Sequence, residues 1–428
     1  MASAFADEPF ALVLLSDGQG ERGRWSYLAR RPSQTLILAP DDSRDPFAAL
    51  AALIGPARPT HPDGPPFQGG VAGLAAYELG DRLEHLGLGR MAPWPDLACA
   101  RYDILLAFDH ARRRAVAIGP DESAAHEALA WLAAPPAPAP AGALACAIEA
   151  PAPHAHEAAV AETTERIAAG EIFQANLARA WLGRLRAGRR PYDLFARLAR
   201  TSPAPFAAYL RLAGLALVSN SPERFLQVRV AEAGLVAETR PIKGTAPRGR
   251  TLEEDAALAS ALAASLKDRA ENLMIVDLMR NDLSKVAAPG AVEVPELFAV
   301  ERFANVSHLV STVRARLAPG RTAVDLLAAA FPPGSITGAP KVQAMKVIAA
   351  AEAPRGPLFG AIFWAGFDGG FDSSVLIRTA AFVQQPDGWR FEARAGGGVV
   401  ADSDPAAERA ETEAKISAML EALTDPGG

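Results

Sequence analysis

The sequence predicts an α+β fold, on three observations. Half of the 428 residues are hydrophobic and 21% are charged, which is enough apolar surface for a sizeable core. Residues 1–132 contain short apolar stretches separated by glycine-rich turns, the pattern of strands. Beyond a proline–alanine run, helical and strand patterns follow one another without the regular strand–helix repeat of a doubly wound parallel sheet.

Taken in order, Phe10 to Leu15, Thr35 to Leu38, Ile104 to Phe108 and Ala115 to Ile118 read as strands, with Phe67-Gln-Gly-Gly70 as a marked turn. Ala133 to Gly142 is the proline–alanine run, predicted extended and solvated. It divides the chain into an N-terminal segment of residues 1–132, a connection 133–150 and a region 151–428. His156 to Ala169 is predicted helical, and Phe206 to Leu212 with Leu215 to Ser219 forms a hairpin turning at Ala213-Gly214. Thr251 with Glu254 three residues later is a capping box, opening a helix that runs to Leu266 and beyond. Asp404-Pro405, a cap residue followed by proline in the first turn, opens a last helix toward Leu423.

Composition narrows the function. The 43 Lys and Arg against 49 Asp and Glu give a net charge of −6, and the basic clusters are short and scattered, which argues against a nucleic-acid partner. No apolar run reaches the ~18 residues that a membrane span needs. The N-terminus is acidic where a secretory signal is basic, so a soluble, cytoplasmic protein is expected. Cys99 and Cys146 make no disulfide framework and sit in no paired metal-ligand spacing.

Several residues carry candidate chemistry. Asp268 and Glu271 share one helix face, and Glu408 and Glu411 repeat that spacing on another helix, with Lys415 four residues after Glu411. The arrangement reads either as solvated charged faces with an i,i+4 ion pair or as two helices presenting carboxylates to one Mg²⁺. Of seven histidines only His308 lies beyond residue 156, too few for a hydrolytic zinc site there; it is a strand histidine or a general acid–base. Lys243 lies where a strand-like run meets a glycine turn. Solvated, it is ordinary; desolvated with Arg240 close by, it loses its proton near neutral pH and becomes a nucleophile. Gly334 to Lys341 has the wrong spacing for a phosphate loop, with Val342 where Ser or Thr belongs. Gly396-Gly397-Gly398 can offer backbone N–H groups to a carboxylate, and Arg378, read as a charge in an apolar strand, needs an anionic partner.

Together these segments resemble the chorismate-utilising enzymes, a family that includes anthranilate, aminodeoxychorismate, isochorismate and salicylate synthases. The resemblance rests on Ser221-Pro-Glu-Arg-Phe225, Arg240-Pro-Ile-Lys-Gly-Thr245, Lys267-Asp-Arg-Ala-Glu-Asn272 leading to Asp277-Leu-Met-Arg-Asn-Asp282, Ser307-His-Leu-Val-Ser311, Pro333 to Lys341, Ile377-Arg-Thr379, and Ala395-Gly-Gly-Gly398 on to Lys415. They follow the family's order across residues 155–424. The N-terminal segment is more loosely similar, and Ser16 with Pro203 to Phe206 resembles the tryptophan pocket of relatives.

The resemblance implies a large two-sheet fold with the N-terminal segment woven into it. It implies Glu271 and Glu411 as inner Mg²⁺ ligands, with Asp268 and Glu408 as an outer, water-mediated pair. Arg378, Lys415 and the backbone of Gly396, Gly397 and Gly398 match positions that grip substrate carboxylates, and Gly244, Thr245 and Ser335 match the pocket wall. Glu223 matches a general acid beside the departing C4 hydroxyl, and His308 matches a base at C2. Two positions discriminate among members. Gln174 stands where isochorismate-forming members carry a lysine base, and Lys243 stands where anthranilate-forming members have alanine. That lysine marks the aminodeoxychorismate-forming members, in which it attacks C2 before ammonia enters at C4. Leu358 and Phe363-Trp364 depart from the anthranilate-forming pattern of a tyrosine and a Gly-Tyr pair. The implied function is a Mg²⁺-dependent transferase making a precursor of 4-aminobenzoate and folate, with anthranilate formation as the alternative. Neither cysteine lies in a glutaminase elbow, so ammonia is expected from a separate glutamine amidotransferase subunit.

Overall fold

A strand that is apolar at successive positions has to be covered on both faces. Leu12–Leu15 is such a strand, and its alternate side chains enter two cores: Leu12 joins one, Val13 the other. Phe206–Leu212 divides the same way, with Ala208 and Leu210 in the first core and Ala207 and Tyr209 in the second. A computed structural model describes residues 1–18, 20, 23–135, 138, 141–302 and 306–424. Four residues of the proline–alanine run, 136, 137, 139 and 140, thus lie outside the described residues.

Among the described residues the strands form two antiparallel sheets, of eleven and ten strands. The larger runs Gly338–Ala339, Gln174–Leu185, Gly388–Val399, Thr379–Gln385, Leu215–Ser221, Phe206–Leu212, Leu12–Leu15, Trp25–Ala29, Leu105–Asp109, Arg114–Ile118, with Ala145–Glu149 also paired to Gln174–Leu185. The smaller runs Ile242–Pro247, Val306–Leu317, Gly234–Thr239, Arg224–Ala231, Phe371–Val375, Ala361–Gly366, Gly70–Ala75, Leu97–Tyr102, Gln34–Leu38, with Ala287–Arg302 along Val306–Leu317. The N-terminal segment is woven into both, pairing Leu12 with Leu210 in one sheet and Val71 with Ala365 in the other. The α+β class and this interweaving are as the sequence predicts.

The first core joins the two sheets, with Leu12, Tyr27 and Leu217 of one meeting Leu74, Phe225 and Phe363 of the other. The helix Leu266–Ser284 adds Ile275, Met279 and Leu283 to it, and Pro405–Thr424 places Ile416, Met419 and Leu423 in the second core. These two helices carry the four carboxylates singled out above.

Local differences from the sequence reading have physical causes. The first strand starts at Leu12 because Phe10 adopts φ 61°, outside strand geometry. The helix expected from His156 starts earlier, at Pro153, because proline suits the first turn. The helix opened by Thr251 ends at Ala264: Ser265 takes ψ 111°, and its Oγ accepts from the Asp268 N–H at 3.2 Å, capping a new helix. That break puts Asp268 and Glu271 in the first two turns of Leu266–Ser284. Only half of the capping box forms there, since the Glu254 carboxylate accepts from the Arg250 N–H instead of that of Thr251.

Candidate active site

The site begins with a bulge. Ile242–Pro247 runs beside Val306–Leu317, pairing Lys243 with Leu309 but Thr245 with His308, so Gly244 is one extra residue. Gly244 has φ +77°, and a Cβ there would lie 2.9 Å from Asp268 Cβ, Asp268 Cγ and Leu262 Cδ1. Only glycine fits, for both conformation and space. The strand bearing Lys243 therefore lies directly on the start of the carboxylate helix. Asn272 fixes the same helix to the His308 strand: its Oδ1 accepts from Ser311 Oγ at 2.5 Å and its Nδ2 donates to the Leu309 carbonyl at 3.4 Å.

The three consecutive glycines form the facing wall. They sit in a ladder, with Gly396, Gly397 and Gly398 opposite Ala178, Leu177 and Asn176, so their contribution is room more than free N–H groups. A methyl on Gly398 would lie 2.0 Å from Gln174 Nε2 and 3.3 Å from Lys243 Nζ, and one on Gly397 would lie 2.7 Å from Glu408 Oε2. Side chains from two strands and the last helix thus close in on a strand that has none. Gln174 is fully buried, and neither its Nε2 nor its Oε1 has a hydrogen-bond partner.

The charges of the cluster act on one another. Burial holds the Lys243 ammonium well below the usual lysine range; Lys415 adds to this, while Glu271, Glu223 and Glu411 oppose it. The neighbouring cation is Lys415, where the sequence suggested Arg240; Arg240 is engaged by Glu301 and Glu296. Burial pushes Glu223 up, against a hydrogen bond from Ser335 and the charges of Lys243 and Lys415. Burial also raises Glu271, reinforced by Asp268 and Glu411, and raises Glu408, reinforced by Glu411. Burial acts on Glu411 as well, but Lys415 at 2.6 Å, with Lys243 and Lys267, pulls it below the ordinary range. Side-chain exposures of 50% for Glu411 and 37% for Lys415 show that the cluster lies in an open cleft. Lys415 also donates to the Gly396 carbonyl at 2.8 Å.

His308 faces the bulge, its Nδ1 2.9 Å from Thr245 Oγ1, and burial lowers its basicity. Arg378 is not in a strand: it falls between Phe371–Val375 and Thr379–Gln385, at φ 50°. The residue is exposed overall, yet burial of its guanidinium lowers its basicity, and that group has no hydrogen-bond or ion-pair partner among the described residues, which suits an anionic ligand. Ser335 is buried in the turn Gly334–Ile336. Lys341 is paired with Asp282 at 2.6 Å and so is not a phosphate-loop lysine.

Two contributors escaped sequence reasoning. Ser403 donates to Glu408 Oε1 at 2.6 Å and leaves Glu408 Oε2 buried without a partner. Lys267 lies close enough to Glu271, Glu408 and Glu411 to stabilise their charges. The only signal of Ser403 was its position just before a helix, whereas Lys267 opens one of the motifs that carry the resemblance without being given a role. Among the described residues no three His, Cys, Asp or Glu side chains are grouped closely enough to hold a metal ion as they stand. The oxygen-only donor set, the mutual repulsion of its carboxylates and the orphaned Glu408 oxygen nevertheless fit a hard divalent cation that keeps open positions. A separate cavity of about 1030 Å³, lined by Ser16, Trp25, Pro205, Phe206, Arg224 and Trp364 among others, draws on both sheets. No helix among the described residues is long and apolar enough to cross a membrane.

Residues 11–421 match the family of chorismate binding enzymes. The chain is 40% identical over 443 residues to aminodeoxychorismate synthase component 1 of Klebsiella aerogenes, covering 98% of this chain and 95% of that one. It is also 40% identical over 430 residues to anthranilate synthase component 1 of Streptomyces coelicolor, covering 94% and 81%. Among solved structures, anthranilate synthase component I of Streptococcus pneumoniae superposes with a TM-score of 0.81 at 28% identity, covering 94% of this chain and 93% of that one.

Proposed function

The chain belongs to the chorismate binding enzyme family, and from that premise we propose that it aminates chorismate to 4-amino-4-deoxychorismate, with ammonia delivered by a separate glutamine amidotransferase, for 4-aminobenzoate and folate synthesis. The observation that carries this reading is Lys243: an amine made easier to deprotonate by burial and by Lys415, enclosed by Glu223, Glu271 and Glu411. Nucleophilic catalysis requires such a lysine, and it divides one difficult displacement into two easier ones.

Arg378 and Lys415 bind the two carboxylates of the substrate, with the Gly396–Gly398 strand as the floor. Glu271 and Glu411 hold Mg²⁺, backed by Asp268 and Glu408; when bound, the cation supplies the positive charge that lets a dianion sit among carboxylates. The neutral Lys243 amine attacks C2, both ring double bonds shift by one position and the C4–O bond breaks. Glu223 gives its proton, so the hydroxyl leaves as water. Ammonia then adds at C4, both double bonds shift back, and the C2–N bond breaks to return Lys243 as a neutral amine. The ammonium formed at C4 returns a proton to Glu223. The sum is chorismate plus ammonia giving aminodeoxychorismate plus water.

Incubation with chorismate, Mg²⁺ and an ammonium salt tests the reading. A product that an aminodeoxychorismate lyase converts to 4-aminobenzoate supports it. Fluorescent anthranilate with release of pyruvate refutes it and establishes the alternative, which relatives of equal identity keep open. Mass spectrometry of enzyme trapped with chorismate, searching for an adduct on Lys243, tests the covalent step directly.

A further inference from the structure

We propose that His308 is a positioning residue for the Lys243 nucleophile, acting by pinning the Gly244 bulge, and does not transfer a proton in the reaction. The inference rests on the amination reading above and deepens it. The register is the first ground. One residue is extra between Lys243 and Thr245, and His308 is the residue opposite the end of that irregularity. A bulge re-aims the side chain beside it, but only if its own conformation is held, because the unpaired residue has lost its ladder bonds. Gly244, at φ +77°, is the freest kind of residue to hold.

His308 does the holding. Its Nδ1 is 2.9 Å from Thr245 Oγ1, and the ring also hydrogen-bonds the Gly244 backbone, so one side chain ties down both residues that follow the lysine. On the other side the bulge rests against Asp268 and Leu262, with no space for a side chain. The bulge is thus clamped between His308 and the start of the Leu266–Ser284 helix, and Lys243 projects from its edge. Burial, the largest influence, and the nearby Arg378 lower the basicity of His308, against the Gly244 hydrogen bond and the charge of Glu301, which raise it. A neutral imidazole suits a hydrogen-bonding clamp.

The reaction chemistry agrees. Anthranilate formation must remove the hydrogen on C2 and expel pyruvate, which requires a base there. Replacing the C4 hydroxyl by an amino group removes no carbon-bound hydrogen, so a base at C2 has no C–H proton to take. A histidine in this place is then free for a structural task.

The test compares His308→Asn, whose amide reproduces hydrogen bonding at the Nδ1 position but does not titrate, with His308→Ala. Wild-type enzyme must first form aminodeoxychorismate from ammonia; if it does not, the amination reading fails and the comparison is not reached. Given that product, His308→Asn is expected to keep kcat within about threefold. His308→Ala should lose about 100-fold, the scale of a misplacement near 1 Å, with chorismate KM little changed and the Lys243 adduct reduced in parallel. Equal large losses in the two variants would overturn the proposal in favour of proton transfer, and a His308→Ala enzyme within threefold of wild type would overturn it by showing that the imidazole is not needed. If His308→Ala does not fold, Thr245→Val breaks the same bond from the other strand. Loss of the adduct there supports the clamp, and an undiminished adduct refutes it.

Discussion

Replacing Gly398 by alanine tests how the site is built. A methyl at that position would lie 2.0 Å from Gln174 Nε2 and 3.3 Å from Lys243 Nζ. Carbon and nitrogen cannot approach to 2.0 Å, so something has to move, and Gln174 is fully buried with nowhere obvious to go. Overpacking of this kind costs about 1–3 kcal/mol. Because Lys243 borders the same space, displacement of its amine by an ångström costs about 100-fold in kcat. Gly397→Ala should be milder for turnover, since its methyl meets the end of the Glu408 side chain at 2.7 Å, and a carboxylate tip yields more readily. The assay is kcat and KM for ammonia-dependent amination beside a thermal melt. The decisive partner is Gln174→Ala. Removing the amide restores space, so the double variant should recover stability relative to Gly398→Ala alone, with a coupling of about 0.5–3 kcal/mol. Strictly additive effects, or a Gly398→Ala enzyme with wild-type kcat and melting temperature, would refute the steric reasoning.

Lys243→Ala should lower amination by at least about 1000-fold, roughly 4 kcal/mol of barrier, while chorismate still binds; titration calorimetry and rate measurements check both halves. The pH profile should follow the shifted groups. Lys243, lowered by burial, gains activity as it loses its proton, so the acid limb lies below the usual lysine range. Glu223, raised by burial, donates only while protonated, so activity falls as pH rises through its elevated value, and Glu223→Gln should lose that alkaline limb along with most turnover. Glu408→Gln should weaken Mg²⁺ binding by about 10–100-fold, the range for residues that support a ligand from behind, read by calorimetry with Mg²⁺ alone. Unchanged affinity would remove Glu408 from the cation site.

Much of the site is legible in the sequence because its residues occur in short local motifs whose spacing survives any uncertainty about topology. Asp268 with Glu271, and Glu408 with Glu411, share helix faces whatever those helices pack against. What a sequence does not display is which distant segments meet. Gln174 speaks there only of the base it lacks, and its place against Gly398 depends on a strand pairing across more than two hundred residues of chain. Arg240 looks like the neighbour of Lys243 because it is near in sequence; the neighbour in space is Lys415. The role of the glycines is hidden for the same reason. Without the sheet, three glycines suggest free backbone N–H groups, whereas in the ladder they are a flat surface that others approach. The Ser265 break is concealed because a serine in an alanine-rich run is tolerable within a helix and equally good as a cap.

The N-terminal segment carries none of the candidate catalytic residues, yet the cleft depends on it through Arg355. This fully buried guanidinium donates to the Asn176 carbonyl at 2.6 Å, to the Ile336 carbonyl at 3.0 Å and to both Glu352 oxygens. It thereby joins the strand that begins with Gln174 to the turn that holds Ser335. Glu352 also accepts from the Ala178 N–H at 2.6 Å, and the backbone N–H groups of Arg355 and Gly356 donate to Glu78 at 2.6 and 2.8 Å. Burial pushes Glu78 up to about 7 despite those bonds. Buried charges are a poor source of net stability, but removing one partner costs about 3–5 kcal/mol, so the arrangement resists being partly undone. A cleft that must admit a dianion among four carboxylates gains from such walls. If the Ser335 turn and the Gln174 strand could move independently, mutual repulsion in the cluster would be relieved by spreading it, and the distances that hold Lys243 between Glu223 and Glu271 would be lost. Tying both walls to Glu78, from a distant stretch of the chain, makes the cleft as rigid as the two-sheet core it opens from.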